Sequence, residues 1–178
     1  MSTENTQPLS INSAAAFATL GQFLEEDQWF PQLLDDKRIY RVTFSGKNSQ
    51  FVCFAQIRAD LDQFLFYAVA PIKAPEDARV RLAELLTRAN YGLRIGNFEL
   101  DFTDGEIRYK ASVDFEGMEL SKTLIKNMVY PVVQTMDRYL PAIFKGLYNT
   151  CTPKEAVEEA EGKTDSSGAD QQANEPNH

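Results

Sequence analysis

The run from Asn97 to Phe115 constrains the fold more than any other stretch of this chain. Asn97-Phe98-Glu99-Leu100-Asp101-Phe102-Thr103 alternates apolar and polar residues, and Asp104-Gly105 is the pair favoured in a two-residue type I′ turn. Glu106 to Phe115 alternates again, with Ile107, Tyr109, Ala111, Val113 and Phe115 on one side. Period-two alternation marks half-buried strands, and a two-residue turn fixes their register. The predicted pairs are Thr103 with Glu106, Phe102 with Ile107, Asp101 with Arg108, Leu100 with Tyr109, Glu99 with Lys110 and Phe98 with Ala111. Glu99 and Asp101, two apart on a strand, resemble the paired carboxylates of an acid/base or metal site. In this register each faces a cation instead, and such cross-strand pairs contribute roughly 0.2 to 1 kcal/mol as sheet structure.

Around this hairpin the other elements fall into place. Phe17, Leu20 and Leu24 recur at helical spacing and predict a first helix over Ser13 to Asp27, with Ser10, Asn12 or Ser13 available as N-cap. Trp29, Phe30 and Pro31 follow as an aromatic anchor between helix and sheet. Arg38 to Phe44, Gln50 to Ile57 and Gln63 to Val69 are rich in β-branched and aromatic residues, so a three-stranded meander is expected. Pro75, Glu76 and Asp77 open a second helix whose apolar stripe is Ala78, Leu82, Leu85, Leu86 and Ala89, ending before Gly92. Leu120, Leu124, Met128, Val132 and Met136, extended by Ile143 and Leu147, predict a long last helix. Pro131 and Pro141 predict a kink or a split in it.

These elements amount to an α+β domain with a five-stranded antiparallel sheet in the order α-β-β-β-α-β-β-α. The expected organisation is a flexible N-terminus over 1–12, one domain over 13–150 and a disordered acidic tail over 151–178. Lys154 to His178 carries seven acids against two lysines, a net of -5 out of -8 for the chain, and after Val157 has no apolar residue larger than alanine. A segment of that composition cannot bury enough surface to offset its ordering entropy.

Composition also narrows function. A net charge of -8 makes the average phosphate interaction repulsive, so nucleic acid is not an expected partner. The longest apolar run, Phe64 to Ala70, is far short of the roughly 20 residues that span a bilayer, and no membrane partner is expected. Cys53 and Cys151 lie far apart, which suits a reducing, cytoplasmic location. His178 is the single histidine, at the chain end, so neither a Ser-His-Asp nor a Cys-His arrangement is available and no metal or cofactor is expected. Asp60 with Asp62 is the carboxylate pair left for an enzymatic alternative, though loop carboxylates serve turns more often. Arg79, Arg81 and Arg88 form the one basic cluster. Interleaved with Glu76, Asp77 and Glu84, they read as a solvated face.

The stretch Leu85-Leu86-Thr87-Arg88-Ala89-Asn90-Tyr91-Gly92-Leu93-Arg94-Ile95-Gly96-Asn97-Phe98-Glu99-Leu100-Asp101, then Asp104-Gly105-Glu106-Ile107-Arg108-Tyr109, resembles the bacterial YbjN family, as does Met136-Asp137-Arg138-Tyr139-Leu140-Pro141-Ala142-Ile143. The similarity covers about residues 13 to 148. It implies a fold like that of type III secretion chaperones, usually dimeric proteins that hold partner polypeptides, and a sensory or regulatory role without an assigned reaction. No catalytic residues carry over. Asn90, Tyr91 and Gly92 match the hallmark, but a helix end explains them equally well, with glycine in the left-handed region and Asn as a cap.

The expected function is therefore non-enzymatic protein binding, as a chaperone-like or regulatory adaptor, through a sheet face or edge. The alternatives are a carboxylate-dependent enzyme and a small-molecule-sensing regulator. In Gln50 to Ile57 both alternating sets contain large side chains, and one set alone can face the chain's own helices. If Gln50 and Gln56 mark the outer face, Val52 and Phe54 lie with them beside Tyr67. These three are the candidate partner-binding residues, for a protein of unknown identity or a second copy in a homodimer.

Overall fold

The structure is a computed structural model that describes residues 11–34 and 38–163. Its elements run α1 (Ile11–Glu26), β1 (Gln32–Leu34), β2 (Ile39–Ser45), β3 (Gln50–Arg58), β4 (Gln63–Lys73), α2 (Arg79–Asn90), β5 (Asn97–Leu100), β6 (Glu106–Asp114), α3 (Lys122–Tyr148) and α4 (Pro153–Ala160). All neighbouring strands are antiparallel, in the sheet order β1-β2-β3-β4-β6-β5. The fold is thus α+β with an antiparallel sheet, but of six strands rather than five. The extra strand β1 pairs Gln32 with Arg41 and Leu34 with Ile39. Three residues directly after Pro31 are too few to show alternation, so only the edge of β2 defines them.

The helices cover one face of the sheet. Phe51, Cys53, Ala55 and Ile57 of β3, Phe64, Phe66 and Ala68 of β4, and Ile107, Tyr109 and Ala111 of β6 point into the core. Against them α3 crosses β4 and β6, α1 packs on β3 and α3, and α2 packs on β5 and α3. The predicted α2 stripe, Ala78, Leu82, Leu85, Leu86 and Ala89, is buried throughout. Burying each such leucine stabilises the fold by about 1.5 to 3 kcal/mol.

Trp29 anchors the helix-to-sheet junction as expected, stacking on Phe44 and meeting Phe66 and Tyr130 edge-on. Its indole N–H donates to Asp27, which also accepts from the Tyr130 hydroxyl. Phe30, expected beside it, points outward at 86% exposure because its backbone sits in the left-handed region, φ 49°.

Four other expectations change. Helix α1 begins at Ile11, inside the segment expected to be flexible; Ser10 and the rest of residues 1–10 lie outside the described residues. Asn12 and Ser13 lie inside α1 rather than ahead of it, and both bind Asp62 in the β3–β4 loop, which ties the helix start to the sheet. Helix α3 runs unbroken through Pro131 and Pro141. Pro141 lacks the amide that would bond to the Asp137 carbonyl, and Asn48 Nδ2 donates there instead at 2.9 Å. The Asp137 carboxylate in turn accepts the amides of Lys47 and Asn48 at 3.0 and 2.9 Å, so the β2–β3 turn closes over α3.

The acidic C-terminal segment, expected to be disordered from residue 151, starts with helix α4. A capping box between Thr152 and Glu155 and Pro153 at the first turn set its start, and Ala156 and Val157 dock on α2 and α3. The Tyr139 hydroxyl donates to Glu161 at 2.9 Å, and burial together with that carboxylate pushes the phenol up to about 12. The remainder of the expected tail, 164–178, lies outside the described residues.

Candidate functional site: the open face of the sheet

The register within the Asn97 to Phe115 hairpin is shifted by two from the predicted one: Asn97 pairs with Lys110, Phe98 with Tyr109, Glu99 with Arg108 and Leu100 with Ile107. The connection is therefore longer than a two-residue turn. Asp101 Oδ1 accepts the Thr103 amide at 2.7 Å, Asp104 Oδ1 the Glu106 amide at 3.0 Å, and the Gly105 amide reaches back to the Asp101 carbonyl at 2.8 Å. Of Asp104 and Gly105, Gly105 alone has positive φ, which excludes a type I′ turn. A two-residue slip preserves which face each side chain occupies, so the inner and outer sets stand as predicted.

The slip regroups the charges. Glu99 accepts Arg108 Nε at 2.6 Å and also the Lys110 ammonium, while Asp101 belongs to the turn. Partial burial pushes the Glu99 carboxyl up, but the hydrogen bonds and charges of Lys110 and Arg108 outweigh it and hold it below its ordinary range. An ionised, doubly paired carboxylate is a poor proton acceptor, so Glu99 and Asp101 do not form an acid/base pair. They do share the rim of an open depression of about 480 Å³ with Leu100, Phe102, Glu106 and Arg108.

Asp60 and Asp62 also part company. Asp60 pairs with Arg58 at 3.0 Å, and that hydrogen bond holds its carboxyl below the usual range; Asp62 holds Ser13. Among the described residues, no group of three or more His, Cys, Asp or Glu side chains is placed to hold a metal ion. Burial pushes the Cys53 thiol far up on the inner face, which leaves it unreactive.

Two of the three arginines read as a solvated face are structural braces. Arg79 donates to the carbonyls of Ala74 and Phe102, and Arg81 to those of Gly146 and Leu147 at the end of α3, where main-chain acceptors lack helical partners. Arg88 alone fits the solvated reading, paired with Glu84 at 2.8 Å.

Val52, Phe54 and Tyr67 come together on the outer face. Phe54 lies directly across from Tyr67, their rings stacked with centroids 5.2 Å apart, and Val52 pairs with Val69. The Arg108 guanidinium sits over the Tyr67 ring, 5.3 Å from its centroid. Burial, tempered by Arg108, raises the Tyr67 phenol, so it stays neutral. The register adds Leu65, Val69 and Arg41, which the sequence reading passed over. Arg41 lies across from Phe54 and Lys110 across from Tyr67, giving one row Arg41-Phe54-Tyr67-Lys110. These side chains are half-buried by one another, and no described helix packs over them.

The β5 edge is closed in a different way. Asn90 at the end of α2 accepts the Phe98 amide at 2.7 Å and donates to the Phe98 carbonyl at 3.1 Å, taking the two main-chain groups an added strand would use. Asn90 is thus a strand clamp and not a helix cap. Gly92 does not adopt the left-handed backbone expected of it; Gly96 does, at φ 79°. Tyr91 is 97% exposed and makes no core contact.

Fold and face together define a class: an α+β protein with helices on one side of an antiparallel sheet and an apolar, aromatic surface on the other. The chain belongs to the YbjN family, described as "Putative bacterial sensory transduction regulator", whose model matches residues 17–145. The fold is similar to that of the crystal structure of YbjN from E. coli, at TM-score 0.56 and 15% identity over 79% of this chain and 97% of that one. It is also similar to a chain in the structure of the HopA1-SchA chaperone-effector complex, at TM-score 0.51 and 17% identity over 72% of this chain and 95% of that one. No curated protein sequence matches the chain. The family's description points to a regulatory role. Helix α4 lies beyond the residues that the family model matches.

Proposed function

We propose that this protein binds another polypeptide through the open face of its sheet, as a chaperone-like or regulatory adaptor that catalyses no reaction. The observation that carries the proposal is the stacked Phe54 and Tyr67 pair flanked by Val52, Leu65 and Val69 on a face that no described helix covers. Aromatic side chains at the centre of such a patch are the residue type that dominates binding energy. The Asn90 clamp at β5 favours face over edge. The chaperone–effector complex among the structural neighbours is consistent with capture of a polypeptide. The reading is of a cytoplasmic protein, in which Cys53 and Cys151 stay thiols.

The test is Phe54→Asp and Val52→Asp in the tagged full chain, with crosslinked partners identified in the native cell and mass in solution measured by light scattering. Each variant is expected to weaken a face-bound partner by more than about 30-fold while unfolding cooperatively. Unchanged partners and unchanged mass in both variants refute the proposal. Dissociation of a dimer identifies the occupant as a second copy.

A further inference from the structure

We infer that the open face takes an apolar polypeptide segment flanked by acidic residues, and not a second copy of this chain. The inference rests on the proposed use of that face and adds the chemistry of its occupant. The chain is acidic overall at -8, yet the row through the aromatic pair has a cation next to the pair on each side, Arg41 beyond Phe54 and Lys110 beyond Tyr67, before it ends at Gln32 and Asn97. Arg108 stands over Tyr67 in the adjoining row. Glu99 pairs with both Arg108 and Lys110 and Glu106 stands 3.9 Å from Arg108, so those two cations are matched by two acids, whereas Arg41 has no ion pair among the described residues. An apolar centre beside an uncompensated cation attracts a negative flank and repels a positive one.

The same row disfavours self-pairing. A two-fold axis through the aromatic pair sets Arg41 against Arg41 of the mate when it runs along the row and against Lys110 when it runs across it. The chain's own C-terminal stretch 164–178 is acidic but holds no apolar residue larger than alanine, so it cannot fill the centre. Single-stranded nucleic acid would need free ring faces. Tyr67 instead stacks with Phe54 and carries the Arg108 guanidinium over its ring.

Fluorescence anisotropy with the full chain separates these cases. The probes are two short labelled peptides sharing a Leu/Phe face, one flanked by glutamate and the other by lysine, and a labelled oligothymidylate. The glutamate-flanked peptide is expected to bind about tenfold more tightly than the lysine-flanked one, with the preference vanishing in molar salt. Arg41→Glu should remove the preference and Arg41→Gln should reduce it about threefold, both without changing the unfolding midpoint beyond that of a surface substitution. Equal binding of both peptides, abolished by Phe54→Asp, overturns the inference and leaves the face-binding reading in place. Binding that ignores Phe54→Asp, or no peptide binding at all, overturns both. Tight binding of the oligothymidylate, or a dimer that competes with the peptides, overturns the acidic-segment assignment.

Discussion

Replacing Asn90 with alanine should loosen the β5 edge by a magnitude that its geometry sets. The side chain makes two neutral hydrogen bonds to one residue, from the Phe98 amide at 2.7 Å and to the Phe98 carbonyl at 3.1 Å. Each is worth about 0.5 to 1.5 kcal/mol net. Because β5 is an edge strand, water replaces part of the loss. Alanine is also the better helix former at the last residue of α2, by about 0.5 kcal/mol. The expected destabilisation is about 1 to 2 kcal/mol, or a fall in Tm of roughly 3 to 6 °C for a chain of this size. Urea unfolding measures the first quantity, and amide exchange at Phe98 should quicken well beyond the global change. Asn90→Asp keeps the acceptor, loses the donor and sets a carboxylate against the Phe98 carbonyl, so it should cost at least as much. The opened edge should make the alanine variant self-associate at concentrations where the parent does not. A variant within about 0.3 kcal/mol of the parent, with Phe98 exchange unchanged, would refute the clamp and reopen strand addition at β5.

Two further outcomes follow from packing and charge. Gly105→Ala should destabilise by more than about 3 kcal/mol in thermal or urea unfolding, because its Cβ would lie 2.0 Å from the Ala74 carbonyl oxygen at a backbone φ of 80°. An alanine variant as stable as the parent would mean that the hairpin tip does not press on the β4–α2 junction. Glu99 has a folded-state pKa below its ordinary 4.5, so its pairing adds stability that is fully present above that value and is lost as pH falls through the lowered one. The stability gap between the parent and Glu99→Gln should therefore be greatest near neutral pH and shrink in acid. A gap independent of pH would show that Lys110 and Arg108 do not depend on the charge of Glu99.

How much of this was readable follows from the range of the forces involved. The α2 stripe and the alternation of β3, β4 and β6 are local patterns, because burial repeats every 3.6 or 2 residues whatever lies opposite. They sufficed for the α+β class, for the inner and outer faces, and for placing Val52, Phe54 and Tyr67 on one surface. Face membership survived a wrong turn because the slip was two residues; a slip of one would have inverted it. Even α4 had a legible start, the Thr152 to Glu155 capping box, but with only Ala156, Val157 and Ala160 to bury beside Pro153 it holds by docking on α2 and α3.

The other features depend on groups distant in sequence. Strand β1 exists through β2. Asp137 meets Asn48 across 89 residues, and Asn90 meets Phe98 only because Gly96 turns the chain back. Glu99 chose Arg108 and Lys110 together once the turn had lengthened. Local pattern assigns each residue a side of the sheet, since side chains alternate along any strand. Which residue then stands opposite which is fixed by turn geometry and packing, and the row Arg41-Phe54-Tyr67-Lys110 came into being only when four strands met.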